Sequence, residues 1–288
     1  MTTRHRAKSA LRRRRLEVVL PRQRRLSALR HCRLRRFRLP PQIESTHGVA
    51  GPDTFLVELD YVVNRARFAY GEGDWNPLVV ALREQLAAPE TVYEQSVLAR
   101  YYEKFQPATV HEILLGPPQP GRVTGYWPAA DPLLDVWSVT EAHVARVLAS
   151  YKQRGERWPS QFFGPNTSPH GKDHLDRALL IYWSVTETGY RPVAFEDGVA
   201  TGYFLVDGDD YRVVVGHGNH RMASLTVAGV ERVPIRLRLP HPPVVDRAEL
   251  RRWSVDGGGL FSSSEASALF ESYFRKDGLE RARALGLA

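Results

Sequence analysis

The sequence predicts an α/β chain built around a small mixed sheet, and three observations predict it. Capped, amphipathic helical segments recur between residues 76 and 188. A hydrophobic period of two sets in after Gly189. One strand, glycine loop, helix and strand unit spans residues 211–238.

Charge divides the chain before any element does. The 288 residues carry 40 basic and 32 acidic side chains, a formal +8. Residues 1–38 hold fourteen arginines and Lys8 against the single acid Glu17, a net +14, which leaves the other 250 residues at −6. Like charges this dense repel one another, so residues 1–40 are expected to form a disordered Arg-rich tail. Such an arm attracts nucleic-acid phosphate or anionic lipid with strong salt dependence. Arginine-rich drift is the competing reading, because the chain has 35 Arg and only 5 Lys. The single Cys32 lies in this tail, which excludes disulfides within the chain and thiolate metal sites in the body. No uncharged apolar run approaches the roughly 18–20 residues of a membrane span. The short apolar piece 16–20 contains Glu17 and is no secretory signal, so a cytoplasmic location is expected.

Pro40 and Pro41 end the tail, and a boundary falls near residue 50. Residues 54–70 are apolar with mixed period and fit strand or helix. Asn76 as N-cap, Pro77 at the first helical position and Leu78, Leu82 and Leu86 on one face then predict a helix that stops before Pro89. A second helix, about 91–105, carries Leu98, Tyr101, Tyr102 and Phe105. With Tyr93 these aromatics read as a packing stripe in preference to a base-stacking platform. Residues 50–116 are therefore expected to be a helical subdomain. Five prolines between 116 and 132 mark a connector. Ser138 and Glu141 predict a capping box for a helix through Val144, Val147, Leu148 and Tyr151, closed at Gly155. A further helix, 172–188, shows Leu175, Ala178, Leu179 and Tyr182 on one face and ends at Gly189.

Strands are expected at 193–195, 202–206 and 211–215, the last two joined by a hairpin turn at Asp207-Gly208-Asp209-Asp210. Gly216-His217-Gly218-Asn219-His220-Arg221 follows directly. Next come a helix through Met222, Leu225 and Val227, then Gly229, then a strand at 233–238. Beyond Pro240, residues 241–288 are expected to be a helical extension, with a Ser262/Glu265 capping box opening one helix and a short second helix after it.

The glycine loop carries the sharpest chemical signal. Gly216 and Gly218 leave backbone N–H groups open to a ligand, and the following helix N-terminus adds about half a positive charge. Arg221 offers a charged fork matched to phosphate oxygens, and His220 a hydrogen bond or a proton. The competing reading is a turn that needs glycine for geometry alone. No Gly-Lys-Ser/Thr follows, so this is not a Walker A loop. His217 faces either ligand or turn. A second constellation lies at Ser168-Pro169-His170-Gly171-Lys172-Asp173-His174-Leu175-Asp176. His170, His174 and Asp173 are candidate metal ligands there, and Asp173 a candidate base or Mg²⁺ ligand. The competing reading has Asp173 capping the helix and the others solvated.

The stretch YRVVVGHGNHRMASLTVAGVERVPIRLR, residues 211–238, resembles the core of the ParB/sulfiredoxin-like superfamily: a strand, a glycine loop ending in His-Arg or Arg-Arg, a helix with a small residue three positions on, then Gly and a Val-Pro-Ile-like strand. LLIYWSVTETGYRPVAF, residues 179–195, is similar to that family's preceding helix and Gly-x-x-Pro strand. The resemblance covers about residues 170–240 and implies a ParB/sulfiredoxin-type domain at 117–240. It also implies that Gly218, Asn219, His220, Arg221 and Ser224 contact nucleotide phosphates. In ParB proteins the loop binds CTP, in sulfiredoxin ATP, and in a related free-serine kinase it serves phosphoryl transfer. Sulfiredoxin chemistry is disfavoured, because its catalytic cysteine would fall at Asn219. Partition ParB is disfavoured too, because Asn219 also replaces its acidic loop residue and no helix-turn-helix pattern follows Pro240.

The expected function is thus binding of ATP or another NTP, with Mg²⁺, for phosphotransfer or NTP hydrolysis on a small-molecule or protein acceptor. Gly216, His217, Gly218, Asn219, His220, Arg221 and Ser224 would hold the nucleotide, and His220, Arg221 and Asp173 would act on it. The alternative class is a nucleic-acid-binding protein or nuclease that uses the arm at 1–38. A third is a non-catalytic accessory protein.

Overall fold

The computed structural model describes residues 40, 43–45, 53–116, 127–154, 159–192, 198–237, 242–257 and 260–288. The Arg-rich arm with Cys32, the strand expected at 193–195 and most of the proline-rich connector lie outside the described residues. The fold is α/β. A mixed sheet of seven strands runs β1 (Glu44–Ser45), β2 (Thr54–Glu58), β6 (Arg232–Leu237), β4 (Ala200–Asp207), β5 (Asp210–His217), β3 (Val62–Asn64), and β7 (Val244–Asp246) also pairs with β4. Eight α-helices are described: α1 (Pro77–Ala87), α2 (Val97–Lys104), α3 (Val110–Leu115), α4 (Glu141–Arg154), α5 (Ser168–Thr188), α6 (Asn219–Val227), α7 (Ser263–Ser272) and α8 (Gly278–Ala284).

The β4–β5 hairpin is the centre of the sheet. Its turn falls at the expected residues, with Gly208 at φ +60°. Its side chains alternate between two apolar cores. Phe204, Val206, Val213 and Val215 face one, with Met222 and Leu225 of α6; Tyr203, Leu205 and Val214 face the other, with Leu269 and Phe270 of α7. Because helices cover both faces, both sets of alternating positions are apolar, and the period of two expected after Gly189 gives way to near-continuous apolar runs at 203–206 and 213–215. β6 lies parallel to β4 and antiparallel to β2. The β5–α6–β6 segment is therefore the strand, loop, helix and strand unit legible in the sequence.

Residues 54–64 depart from the helical reading of 50–116. Thr54–Glu58 zips against β6 from Thr54↔Arg236 to Glu58↔Arg232, and Val62–Asn64 pairs in parallel with β5. Val57 and Val62 are fully buried on the sheet, and that burial decides an apolar run whose period alone fits either structure. The segment 241–288 likewise contributes β7 to the sheet besides its two helices. One apolar cluster joins residues from Val63 to Ala282, so the helices at both ends of the chain share a core.

The caps show how local chemistry sets the helices. Asn76 Oδ1 accepts from Leu78 and Val79 N–H ahead of α1, whose buried face centres on Val79 and Leu82, with Leu78 and Leu86 only partly buried. Ser262 and Glu265 close the expected box on α7. For α4 the cap is Thr140, whose hydroxyl accepts from His143 N–H, because Ser138 is spent donating to the Asp135 carbonyl. α5 begins four residues before the expected start: Thr167 caps it, and Pro169 sits in the first turn, where its missing N–H costs nothing. The Tyr93, Tyr101, Tyr102 and Phe105 stripe packs inward, with Tyr101 donating to the Phe162 carbonyl at 2.7 Å and Tyr102 to that of Gln161 at 3.0 Å. No helix among the described residues is long and apolar enough to cross a membrane.

Gly278 opens α8 against Trp75, and a Cβ there would overlap the Trp75 carbonyl oxygen. Alanine gains about 1 kcal/mol over glycine within a helix, whereas a clash with backbone typically costs about 1–3 kcal/mol. Gly278→Ala is therefore expected to lower the urea midpoint, with α8 displaced from Trp75. An unchanged or raised midpoint contradicts this packing.

Candidate functional site

The loop between β5 and α6 opens into a cavity of about 450 Å³, lined by Arg65, Gln161, Ile181, residues 199–201 and residues 216–221. Gly218 is the N-cap residue of α6, with φ +102°, and no side chain caps the helix. A Cβ on Gly218 would come within 2.8 Å of Ala200 Cβ, so the close approach of loop and strand requires glycine on two counts. The first-turn N–H groups of α6 therefore meet the cavity without competition from a capping side chain.

Asn219 is 4% exposed and lines the cavity. Burial raises the Tyr70 phenol well above its usual range, so Tyr70 stays protonated and donates to Asn219 Oδ1 at 2.9 Å. That bond fixes the amide and leaves Asn219 Nδ2 with no hydrogen-bond partner. A buried donor without a partner is costly, and at this position it marks where an acceptor atom belongs.

His220, His174 and His170 form a continuous chain. His220 Nε2 lies 2.8 Å from His174 Nδ1, and His174 Nε2 lies 3.0 Å from His170 Nε2. His170 and His174 stand four residues apart on α5 and so share a face; the packing of α5 on α6 brings His220 against them. Burial, reinforced by the other two imidazoles, pulls His174 down to about 3. Burial and then Arg177 pull His220 down to about 4, with Asp173 opposing. Both are neutral at pH 7, so each ring carries one N–H and one acceptor, and the chain of three can hand a proton along its length.

The remaining candidates are placed as follows. Arg221 lines the cavity, but it is 5% exposed and its Nη1 donates to the Gly198 carbonyl at 2.7 Å, beside Tyr190. It braces the chain entering β4. Ser224 is fully buried, its Oγ 2.7 Å from the Ala178 carbonyl and 2.8 Å from the His220 carbonyl, so it joins α6 to α5 and does not reach the cavity. Asp173 pairs with Arg177 at 2.8 Å on the exposed face of α5 and neither caps that helix nor lines the cavity. Among the described residues, no group of three or more His, Cys, Asp or Glu is arranged to hold a metal ion. Asp173 is engaged by Arg177 away from the cavity lining, and His174 turns its two nitrogens towards different histidines. Gly216 belongs to β5 and is buried, and His217 is exposed at the strand end.

Three residues escaped the sequence reading. Arg65, from the turn after β3, reaches across to the cavity, where Nη2 donates to the Gly216 carbonyl at 3.4 Å and Nη1 to the Asp135 carboxylate at 3.2 Å. Tyr70 orients Asn219. Asp131 accepts from Ser160 Oγ and feels the charges of Arg65 and His170, while burial raises its carboxyl above the usual range. Only the i, i+4 spacing of His170 and His174 was a signal in the sequence; the others arrive through contacts across at least 29 residues, and across 149 for Tyr70 and Asn219. No protein-family model, curated protein or solved structure matches this chain.

Neutral buried histidines make stability depend on pH. Between pH 6.5 and about 4 the unfolded chain binds protons on His174 and His220 that the folded chain refuses, so stability falls as pH falls through that window. The urea midpoint should drop between pH 7.5 and pH 5, and drop less in the double variant His174→Gln/His220→Gln. Equal drops contradict the neutral histidine chain.

Proposed function

We propose that the chain binds the phosphates of a nucleoside triphosphate at the N-terminus of α6 and transfers or hydrolyses the terminal phosphoryl group, with His220 taking the proton of the attacking hydroxyl or water. The observation that carries this reading is the unpartnered Asn219 Nδ2, 96% shielded from solvent, beside an uncapped helix N-terminus at a cavity. Both features ask for oxygen acceptors carrying negative charge. The order of β5, α6 and β6 supports the resemblance to ParB/sulfiredoxin-like domains, within which that loop meets nucleotide phosphate.

The chemistry then balances as follows. The attacking oxygen forms its bond to phosphorus as the bond to the diphosphate leaving oxygen breaks. The attacking O–H gives its proton to His220 Nδ1. His220 Nε2–H passes its proton to His174 Nδ1, and His174 Nε2–H passes its own to His170 Nε2. An imidazole held near 4 is a weak base by itself, and the chain relieves it by delivering the charge to His170, within electrostatic reach of the Asp131 carboxylate. Gly218, Asn219 and the backbone of His220 and Arg221 hold the phosphates, and the Arg65 and Arg221 guanidiniums set the sign of the potential.

Asn219→Asp keeps the acceptor for Tyr70 and places a carboxylate at the phosphate position. In calorimetric titration with a panel of ATP, CTP and GTP, the wild-type chain is expected to bind at least one. Asn219→Asp should weaken that binding at least about tenfold, and His220→Asn should bind but lose turnover. Absence of binding by any of the three, or an unaffected Asn219→Asp, overturns the assignment.

A second reading rests on the composition of residues 1–38, where fifteen bases face one acid. In it the arm holds a nucleic-acid backbone. RNA and DNA affinity of the full chain should then fall steeply with salt and vanish on removal of residues 1–38. Affinity that survives the removal contradicts it.

A further inference from the structure

A second cavity, of about 520 Å³, lies away from the α6 loop, between α3, α7, α8 and the turn that carries Arg67. Phe105, Leu114, Leu115 and Leu285 give it an apolar wall, and Arg67, Arg281 and Asp277 form its polar end. Arg67 has a left-handed φ of 70°, rare outside glycine, which turns it inward from the β3 turn. Its Nη1 bonds Asp277 Oδ2 at 3.1 Å. The Arg281 guanidinium lies 4.1 Å from the Phe68 ring centroid and donates from Nη1 to the Ala66 carbonyl, and among the described residues no carboxylate pairs with it. The two guanidiniums are close enough that Arg281 helps to draw Arg67 down to about 10, after burial itself.

Three buried polar atoms in this cluster have no hydrogen-bond partner: the donors Arg67 Nε and Arg281 Nη2, and the acceptor Asp277 Oδ1. Of the other cavity carboxylates, Glu112 accepts from Ala108 N–H at the start of α3, and Glu265 accepts through Oε2 at the start of α7. Within the trio Arg67, Arg281 and Asp277, two guanidiniums against one carboxylate leave a single positive charge at this end of the chamber, while Arg275 and His111 line it together with Glu112 and Glu265. A phosphate dianion overcompensates that charge, and a neutral ligand leaves it buried.

We propose that this cavity binds a small organic monocarboxylate with an apolar body, its carboxylate accepting from the Arg281 and Arg67 guanidiniums. A hydroxyl next to the carboxylate would donate to Asp277 Oδ1 and satisfy the remaining atom. A chamber of this volume suits a small ligand with an aromatic or short aliphatic body. It shares no lining residue with the α6 cavity.

The test is calorimetric titration of the full chain with 2-hydroxy-3-phenylpropanoate, with 3-phenylpropanoate and 3-phenylpropan-1-ol as controls. The hydroxy acid should bind best, the plain acid next and the alcohol at least about tenfold more weakly. Arg281→Met, which keeps the stem over Phe68, should weaken both acids at least about tenfold. Should Arg281→Met fail to fold, Ala268→Phe, which fills the cavity from α7, should abolish binding with cooperative unfolding retained. Alcohol bound as tightly as acid, no binding by either acid, or acid binding unaffected in a folded variant overturns the proposal.

Discussion

The packing of α5 against α6 is the constraint on which the α6 site depends. Ala178 and Ser224 are both fully buried where the two helices meet, and the Ser224 hydroxyl reaches the Ala178 carbonyl. A larger residue at either position would push the helices apart. At this separation His220, on the first turn of α6, meets His174, and His174 meets His170. The same proximity removes water from the imidazoles and holds them neutral. Geometry and protonation state therefore share one cause, and a change that loosens the interface alters both.

Buried arginine is the second theme. Arg65, Arg67, Arg212 and Arg221 are all at most 8% exposed in a body that is mildly acidic. Their guanidiniums largely serve the backbone: Arg221 binds the Gly198 carbonyl, Arg65 those of Asp131 and Gly216, and Arg212 those of Tyr211 and Phe274. Planar forks with five donors suit carbonyls left over where strands and loops end. Arg221, on this view, is first a brace for the cavity wall. It supplies potential to the site from a position already fixed by its own hydrogen bonds. Arg281 differs, because its guanidinium binds one carbonyl and keeps Nη2 unpartnered at the end of an apolar chamber.

What the sequence made legible was local. Asn76 ahead of Pro77, Ser262 with Glu265, Gly208 in the hairpin turn and Gly218 ahead of α6 act through atoms within a few residues, and their types alone announce them. Ser138 and Asp173 misled for the same reason: each has the chemistry of a cap, and nearby threonines, Thr140 and Thr167, hold those positions. The strands β2 and β3 could not be assigned, because an apolar run buried on a two-sided sheet has no distinct period. The histidine chain spans 46 residues between His174 and His220, and Tyr70 reaches Asn219 across 149. No pattern along the chain encodes such contacts; the first follows from the packing of α5 on α6 and the second from the order of strands in the sheet. Of the glycine-loop motif, Gly218, Asn219 and His220 keep their expected place at the cavity, while Ser224 is drawn into the helix interface.

Binding of negatively charged oxygens at the first turn of α6 is the proposal on which the rest of the functional reading turns. Amide-resolved NMR of the full chain during titration with ATP tests it most directly. The largest shifts are expected on the backbone N–H groups of Gly218, Asn219, His220 and Arg221 and on the Asn219 side-chain amide, with His174 and His220 remaining neutral at pH 7. Shifts confined to other elements, or none at saturating nucleotide, would contradict it.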